Sequence, residues 1–504
     1  MDSSSKLIVH EGRMKHRHLL IVFICLILLT WAIGPWMHEA EAQTQETWST
    51  VSRLSTNKGK ASEASLAADQ FGNVHVFWTE ELDDSRSVIQ YAYYEGETWS
   101  TLTDIHVTQP FKTIGNVSPT VDQNGTLHLI WSEGDSGPAY YTSAPANDAT
   151  SAQKWEQPRV IKVPSNRIKL RVDSNGVLHV LYIKFLGQEQ GVYYIHSEDE
   201  GKNWSDPIWL DPDIIADYGP RALNFEIDDT GGLHAAWYYV PREDLGGDWV
   251  RYIHSLDGGN TWSEPFTIDK LDQEAIDNDE VLSAAGPIMA VQGQNVHIIW
   301  AGGKLHYRHH RYSTDAGRTW SESRRIFGDL NGQAFDGLTV DAVGRIHFFG
   351  QIRFPMGIYH SVWDGNEWTR PSLVYLIRYS STDPEGDEIA AHNTHPAVRA
   401  GNQLVLTFTD APSDPIRRLF VMERTLDDIT PSAAFPTPTP VVESTPQSTT
   451  PTAQPTAITT PRSFGNAPSD NGNSSTGEPL LFGFIATLLL TGSAISLRLL
   501  KIRN

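Results

Sequence analysis

The sequence predicts an all-β fold, a β-propeller of four-stranded blades, from two interleaved repeats and the short apolar alternations between them. The octet Ser255-Leu256-Asp257-Gly258-Gly259-Asn260-Thr261-Trp262 has the pattern S-x-D-x-G-x-x-W. The pattern also occurs from Ser197 to Trp204 and from Ser313 to Trp320, giving two intervals of 58 residues. A fixed period of that size marks a repeat architecture, in which one unit cannot bury its apolar surface alone and stacks on its neighbours. A second repeat, D-x-x-G-x-x-H-x-x-W, runs through Asp69, Gly72, His75 and Trp78 and then through Asp122, Gly125, His128 and Trp131. It continues with Asp173, Gly176, His179 and Tyr182, then Asp228, Gly231, His234 and Trp237. Later copies keep His297 and Trp300, then Asp341, Gly344 and His347, and finally Gly401, Val405 and Phe408. Seven blades are therefore favoured, with six the alternative if the degenerate fifth or seventh copy is not a blade.

Each unit reads as four strands. The first ends at the repeat Asp, and D-x-x-G is a tight turn. The second is an apolar run such as Leu127-His128-Leu129-Ile130-Trp131. The third carries aromatic pairs such as Tyr193-Tyr194, the octet turns the chain, and the fourth follows the octet Trp. In the octet an Asp carboxylate can accept backbone N–H groups, a Gly is free to take positive φ, and a Trp folds back over the strands. Glu46 to Val51 resembles Glu97 to Leu102, the start of a fourth strand, whereas the seventh unit stops after a third strand at Arg424. The two ends are expected to complete one blade, closing the ring without an open sheet edge.

On these octets the chain resembles the sialidase (neuraminidase) superfamily, whose blades carry the motif as the Asp box or BNR repeat. Its members here are Ser197, Asp199, Gly201 and Trp204; Ser255, Asp257, Gly259 and Trp262; and Ser313, Asp315, Gly317 and Trp320. The motif also occurs in propellers that are not sialidases, so the resemblance implies a fold more than an activity. A sialidase would also need an arginine triad for the substrate carboxylate, a Tyr nucleophile activated by a Glu, and an Asp as acid. The first arginine of such enzymes enters the first blade in an Arg-Ile-Pro motif. Here that blade reads Ala61-Ser62-Glu63-Ala64-Ser65-Leu66, and the nearest imitation, Asn166-Arg167-Ile168-Lys169, lies two blades on without the proline. Tyr218, Tyr238 and Tyr239 are available nucleophiles and Asp83, Asp84 and Asp217 available acids, but no spacing selects among them.

The ends lie outside the array. Residues 1–42 read as a secretory signal, with Lys15 to His18 before an apolar run from Leu19 to Ile33 and an A-x-A site at Ala40-Glu41-Ala42; an uncleaved anchor is the rival reading. Cys25, the only cysteine, falls inside that run, so the propeller has neither disulfide nor metal thiolate. Residues 43–428 are the propeller and 429–478 a Pro/Thr/Ser-rich stalk. Residues 479–504 hold an apolar stretch from Leu480 to Leu497 and then Arg498, Lys501 and Arg503. That is one membrane crossing with a basic cytosolic tail, which places the propeller outside the cell. The net charge of −22 argues against a nucleic-acid partner. The expected partner is a glycan or another cell-surface ligand bound by a monomeric propeller, with no cofactor or metal.

A residue that recurs with the fold is scaffold, so the repeated histidines, aspartates and octet tryptophans are assigned to structural hydrogen bonds. Both repeated turns lie on one face of the disk. The other face carries long polar and aromatic loops, where function usually sits. The first strands line the axis, which brings residues just before each repeat Asp to the mouth of a central pocket. These candidates are Glu63, Asn116, Arg167, Arg221, Asp336 and His395, together with Tyr218 and Tyr238. Arginines there suit a planar anion. The function read from the sequence is glycan or surface-ligand binding on the loop face. The alternatives are an exo-sialidase-like glycoside hydrolase and a non-catalytic structural or protein-interaction module.

Overall fold

The computed structural model describes residues 47–431 except 63, 83–84, 135–136, 165–166, 185–188, 213–217, 242–246, 272–283, 304–305, 333–335, 353–354, 378–391 and 411–415, with backbone only for 218, 241 and 392. The signal and membrane-crossing expectations, and the stalk beyond residue 431, fall on residues outside this set; Ile429, expected to begin the stalk, is buried with Leu426 and Phe408. Among the described residues no helix is long and apolar enough to cross a membrane.

Seven antiparallel sheets form seven blades. Blade one uses Val74–Leu82, Ser87–Tyr94 and Thr103–Val107, with an interrupted inner strand of Gly59–Ala61 and Ser65–Ala68. The inner strands of blades two to seven are Ile114–Val121, Ile168–Val172, Tyr218–Ile227, Ala284–Gln292, Gly337–Val340 and His392–Arg399. Each inner strand contacts the next around the axis, and that of blade seven returns to that of blade one. Closure follows the expected route: Ser52–Arg53 pairs with Arg418–Thr425 as the outer strand of blade seven, in the register Ser52 with Val421 and Arg53 with Phe420. Backbone bonds from Ser49 N to Glu423 O and from Leu54 N to Leu419 O extend this seam, both at 2.9 Å.

The repeated residues form a relay that recurs from blade to blade. The repeat Asp accepts backbone N–H groups across its turn; in blade four Asp228 takes those of Thr230 and Gly232 at 2.8 Å each. Its other oxygen lies 3.2 Å from His234 Nε2, which therefore carries the proton, so Nδ1 accepts from the Tyr252 hydroxyl at 2.7 Å. Equivalent His–Tyr bonds join His75 to Tyr91, His128 to Tyr141 and His179 to Tyr194. The tyrosine then supports the following blade. The octet tryptophans Trp204, Trp262 and Trp320 sit edge-on to Tyr141, Tyr194 and Tyr252. Gly259, at φ 89°, leaves no room for a Cβ, which would stand 2.1 Å from the Tyr194 hydroxyl. Blades five and six replace the tyrosine with a second histidine, pairing His297 with His310 at 3.0 Å and His347 with His360 at 2.9 Å. The fifth copy has Val291 and Gln294 where the repeat has Asp and Gly, yet its four paired strands make it a full blade.

Each octet is closed internally as its composition requires. Asp257 accepts from Thr261 N at 2.9 Å, and Ser255 Oγ, 2.9 Å from Asp257 Oδ1, accepts from Gly259 N at 2.8 Å.

Candidate functional site in the central pocket

The ring of inner strands encloses a pocket of about 550 Å³ to which all seven blades contribute. That volume falls in the roughly 300–1,000 Å³ range of small-molecule sites. Its mouth is shaped by a device that no sequence pattern announced. The pairing of the first and second strands shifts register between Ile114 and Val117, Arg221 and Asn224, Ala285 and Ile288, and His392 and His395. These β-bulges recur at one level, in blades two, four, five and seven. Ala222, Gly286 and Asn393 take positive φ of 47°, 57° and 56° within them. A bulge bends its strand and re-aims the neighbouring side chains, and strained backbone of this kind gathers at ligand sites.

The bulge in blade four organises the cationic side of the mouth. Arg221 lies directly across from Tyr238 in the strand pairing, and its guanidinium donates to Pro220 O at 2.9 Å. Burial lowers the Arg221 pKa, helped by the positive charge of Arg167 from blade three and opposed by Tyr238. Burial raises the Tyr238 pKa, while Arg221 and then Arg167 pull it down. The three groups thus act on one another through space. Arg167 itself is exposed at the rim.

Below this level Arg171 clamps Glu226 with two bonds, 3.0 Å from Nε and 2.6 Å from Nη2, tying blade three to blade four inside the pocket. Asp336 reaches the wall, but its carboxylate is locked by Arg308, whose Nε meets Oδ2 and whose Nη2 donates to Oδ1 at 2.8 Å. That ion pair is almost wholly buried, and burial pushes the Asp336 pKa up against the pull of Arg308. Among the described lining residues, four cations (Arg167, Lys169, Arg171 and Arg221) face two carboxylates (Glu226 and Asp336). Both carboxylates are held bidentately by arginines, so the described lining residues carry more positive than negative charge in a chain of net charge −22.

The pocket therefore brings together Asn116, Arg167, Arg221, Tyr238, Asp336 and His395 from the residues expected there. Glu63, Asp83, Asp84 and Asp217, and the Tyr218 side chain, lie outside the described residues. Tyr239 is buried away from the mouth among the blade-four core residues. Lys169, Arg171, Glu226 and Asn224 complete the wall and were not singled out in the sequence; alternation along the inner strand from Arg167 through Lys169 to Arg171 was the available signal. No group of histidine, cysteine, aspartate or glutamate side chains among the described residues is placed to hold a metal ion.

No family model matches the chain, and no curated protein does. Among solved structures, the polysaccharide lyase Uly1 aligns with a TM-score of 0.50 and 10% identity, covering 75% of this chain and 100% of that one. A polysaccharide lyase described as a PL25 ulvan lyase gives a TM-score of 0.48 at 12% identity, over 72% of this chain and 93% of that one. A mutant of NanB sialidase from Streptococcus pneumoniae gives 0.40 at 12% identity, over 78% and 73%. At these identities the likeness is one of fold: solved neighbours of this seven-bladed propeller include sialidases and polysaccharide lyases.

Proposed function

We propose that this protein binds acidic saccharides in its central pocket, the anionic group resting on Arg221 and Arg167 with the Tyr238 hydroxyl as a further donor. The observation that carries the reading is the opposition of Arg221 and Tyr238 beside Arg167 at the mouth of the central pocket. Two like charges in a partly desolvated mouth are stabilised by an anion between them. The raised pKa of Tyr238 keeps its phenol a hydrogen-bond donor at neutral pH. That a similarly folded protein, Uly1, is a polysaccharide lyase agrees with a saccharide ligand. We further propose that residues 479–504 anchor the chain and that residues 429–478 hold the monomeric propeller outside the cell.

Binding is favoured over sialidase-type catalysis by the surroundings of Tyr238. A tyrosine nucleophile needs a carboxylate to draw off its proton, whereas among the described residues the charges acting on Tyr238 are those of two arginines. Release of the fluorophore from a sialoside by the intact chain would reverse that preference. The binding test compares Arg221→Ala with Arg318→Ala, the latter lying in an octet turn on the opposite face. Calorimetry with glucuronic acid should show Arg221→Ala weakening binding by about 2 kcal/mol or more and Arg318→Ala leaving it unchanged. Equal effects, or no binding by the unaltered chain, would rule out the site.

A further inference from the structure

We propose that the natural ligand is an oligosaccharide of at least two units, its acidic unit on Arg167 and Arg221 and the adjoining neutral unit in a second cavity between blades one and two. This rests on the reading of the central pocket as an acidic-saccharide site.

The second cavity measures about 290 Å³ and shares Ser65, Asn116 and Arg167 with the central pocket, so the two spaces are contiguous. The bulge in blade two accounts for it. The register shift between Ile114 and Val117 takes Gly115 and Asn116 out of the ladder and opens the inner end of the gap between the blades. The chemistry of this cavity differs from that of the central one. Among the described lining residues Ser62, Thr79 and Thr113 carry hydroxyls, that of Thr79 donating to Ser62 Oγ at 2.9 Å, Ile114 supplies an apolar wall, and Arg167, at the junction, is the charged side chain. Hydroxyl groups beside a small apolar surface suit a neutral sugar ring, which presents hydroxyls at its edge and C–H bonds on its faces.

Phe111 gives the path an outward direction. It precedes Thr113 by two residues on the same loop, is 87% exposed, and holds φ at 63°. A single exposed aromatic needs no explanation, but a bulky residue in the left-handed region is a costly conformation that the surroundings must enforce. Here the enforcing contact is a bond from Phe111 N to Ser85 O at 2.8 Å, which fixes the backbone while the ring stays in solvent. An exposed aromatic two residues from the lining residue Thr113 offers a platform for the C–H face of a sugar leaving this cavity. The saccharide chain would leave the axis between blades one and two and pass Phe111.

The test uses the full-length chain and two probes, glucuronic acid and a hyaluronan tetrasaccharide, in which the same acid alternates with a neutral sugar. Calorimetry should show the tetrasaccharide binding about tenfold or more tighter than the monosaccharide. Phe111→Ala, and separately Thr113→Glu, should each reduce tetrasaccharide affinity by about fivefold and leave glucuronic acid binding unchanged. Both substitutions are at exposed positions, and thermal melts would verify that the fold is retained. Equal affinity for the two probes, or indifference of the tetrasaccharide to both substitutions, would overturn the two-unit site and leave the central pocket standing. Failure of both probes to bind would overturn both.

Discussion

Asp336 shows how a residue at the right place on the axis can be committed elsewhere. It stands at the pocket wall, yet Arg308 holds both its oxygens, and Arg308 also donates to Gln351 O at 3.2 Å. Removing one member of a buried ion pair leaves the other charged and uncompensated. Asp336→Asn is therefore expected to lower stability by about 3 kcal/mol in a denaturant titration while affecting acidic-sugar affinity less than Arg221→Ala does. The His297–His310 pair gives a second expectation at this scale. Burial pushes the His297 pKa from 6.5 down to about 4, and burial followed by the nearby His297 and Arg324 takes His310 well below its ordinary value. Trp368 Nε1 donates to His310 Nδ1 at 3.2 Å, which fixes the neutral tautomer and sends the His310 Nε2 proton toward His297. Between pH 6.5 and 4 the unfolded chain then binds more protons than the folded one, so stability from this pair is complete above 6.5 and is lost as pH falls toward 4. Each such group contributes a slope of up to about 1.4 kcal/mol per pH unit. Urea midpoints at pH 7 and pH 5 should differ accordingly, and replacing both histidines with Asn should flatten the difference.

At the scale of the element, the octet turn is a joint between blades as well as a hairpin. Its Asp and Ser satisfy the turn's backbone, while its Gly and Trp cover the tyrosine of the preceding blade. Trp262, half-buried and 5.1 Å from the Tyr194 ring, should contribute less than a fully buried aromatic. Trp262→Ala is expected to cost about 2–3 kcal/mol by thermal or chemical unfolding. An unchanged melting temperature would remove the octet from the inter-blade contact. The bulged inner strands are the other element of consequence. They turn a ring of similar strands into an asymmetric mouth, with Arg221 and Tyr238 on one side and the cavity at Gly115 and Asn116 on another.

The whole molecule depends on the seam in blade seven, where the first described strand completes the last sheet. Deleting residues 47–57 would leave the Arg418–Thr425 strand as an open edge and take Leu54 from the apolar packing around Trp78 and Val421. An uncovered strand edge templates association. The truncated chain is expected to melt lower and to scatter light increasingly with concentration. Equal stability and solubility would show that the ring does not need this closure.

The sequence by itself determined the repeating unit, the closure by the two ends and the level on the inner strands where the pocket opens, and it favoured seven blades over six, which the seven sheets decide. These follow from local chemistry that every blade repeats: turn residues at fixed offsets, a histidine on the second strand, a tryptophan after the octet. It also placed Asn116, Arg167, Arg221 and His395 at the mouth, because position along an inner strand is position along the axis. Only the tertiary structure decided which of these groups act together. The bulge at Ala222 carries no sequence signature, since Gly or Asn would favour such backbone and Ala does not. The partner of Asp336 lies on another blade, 28 residues away at Arg308, and that of Glu226 is 55 residues away at Arg171. Charge pairing and cavity shape arise between blades, where residues distant in the chain meet at separations that no local pattern encodes.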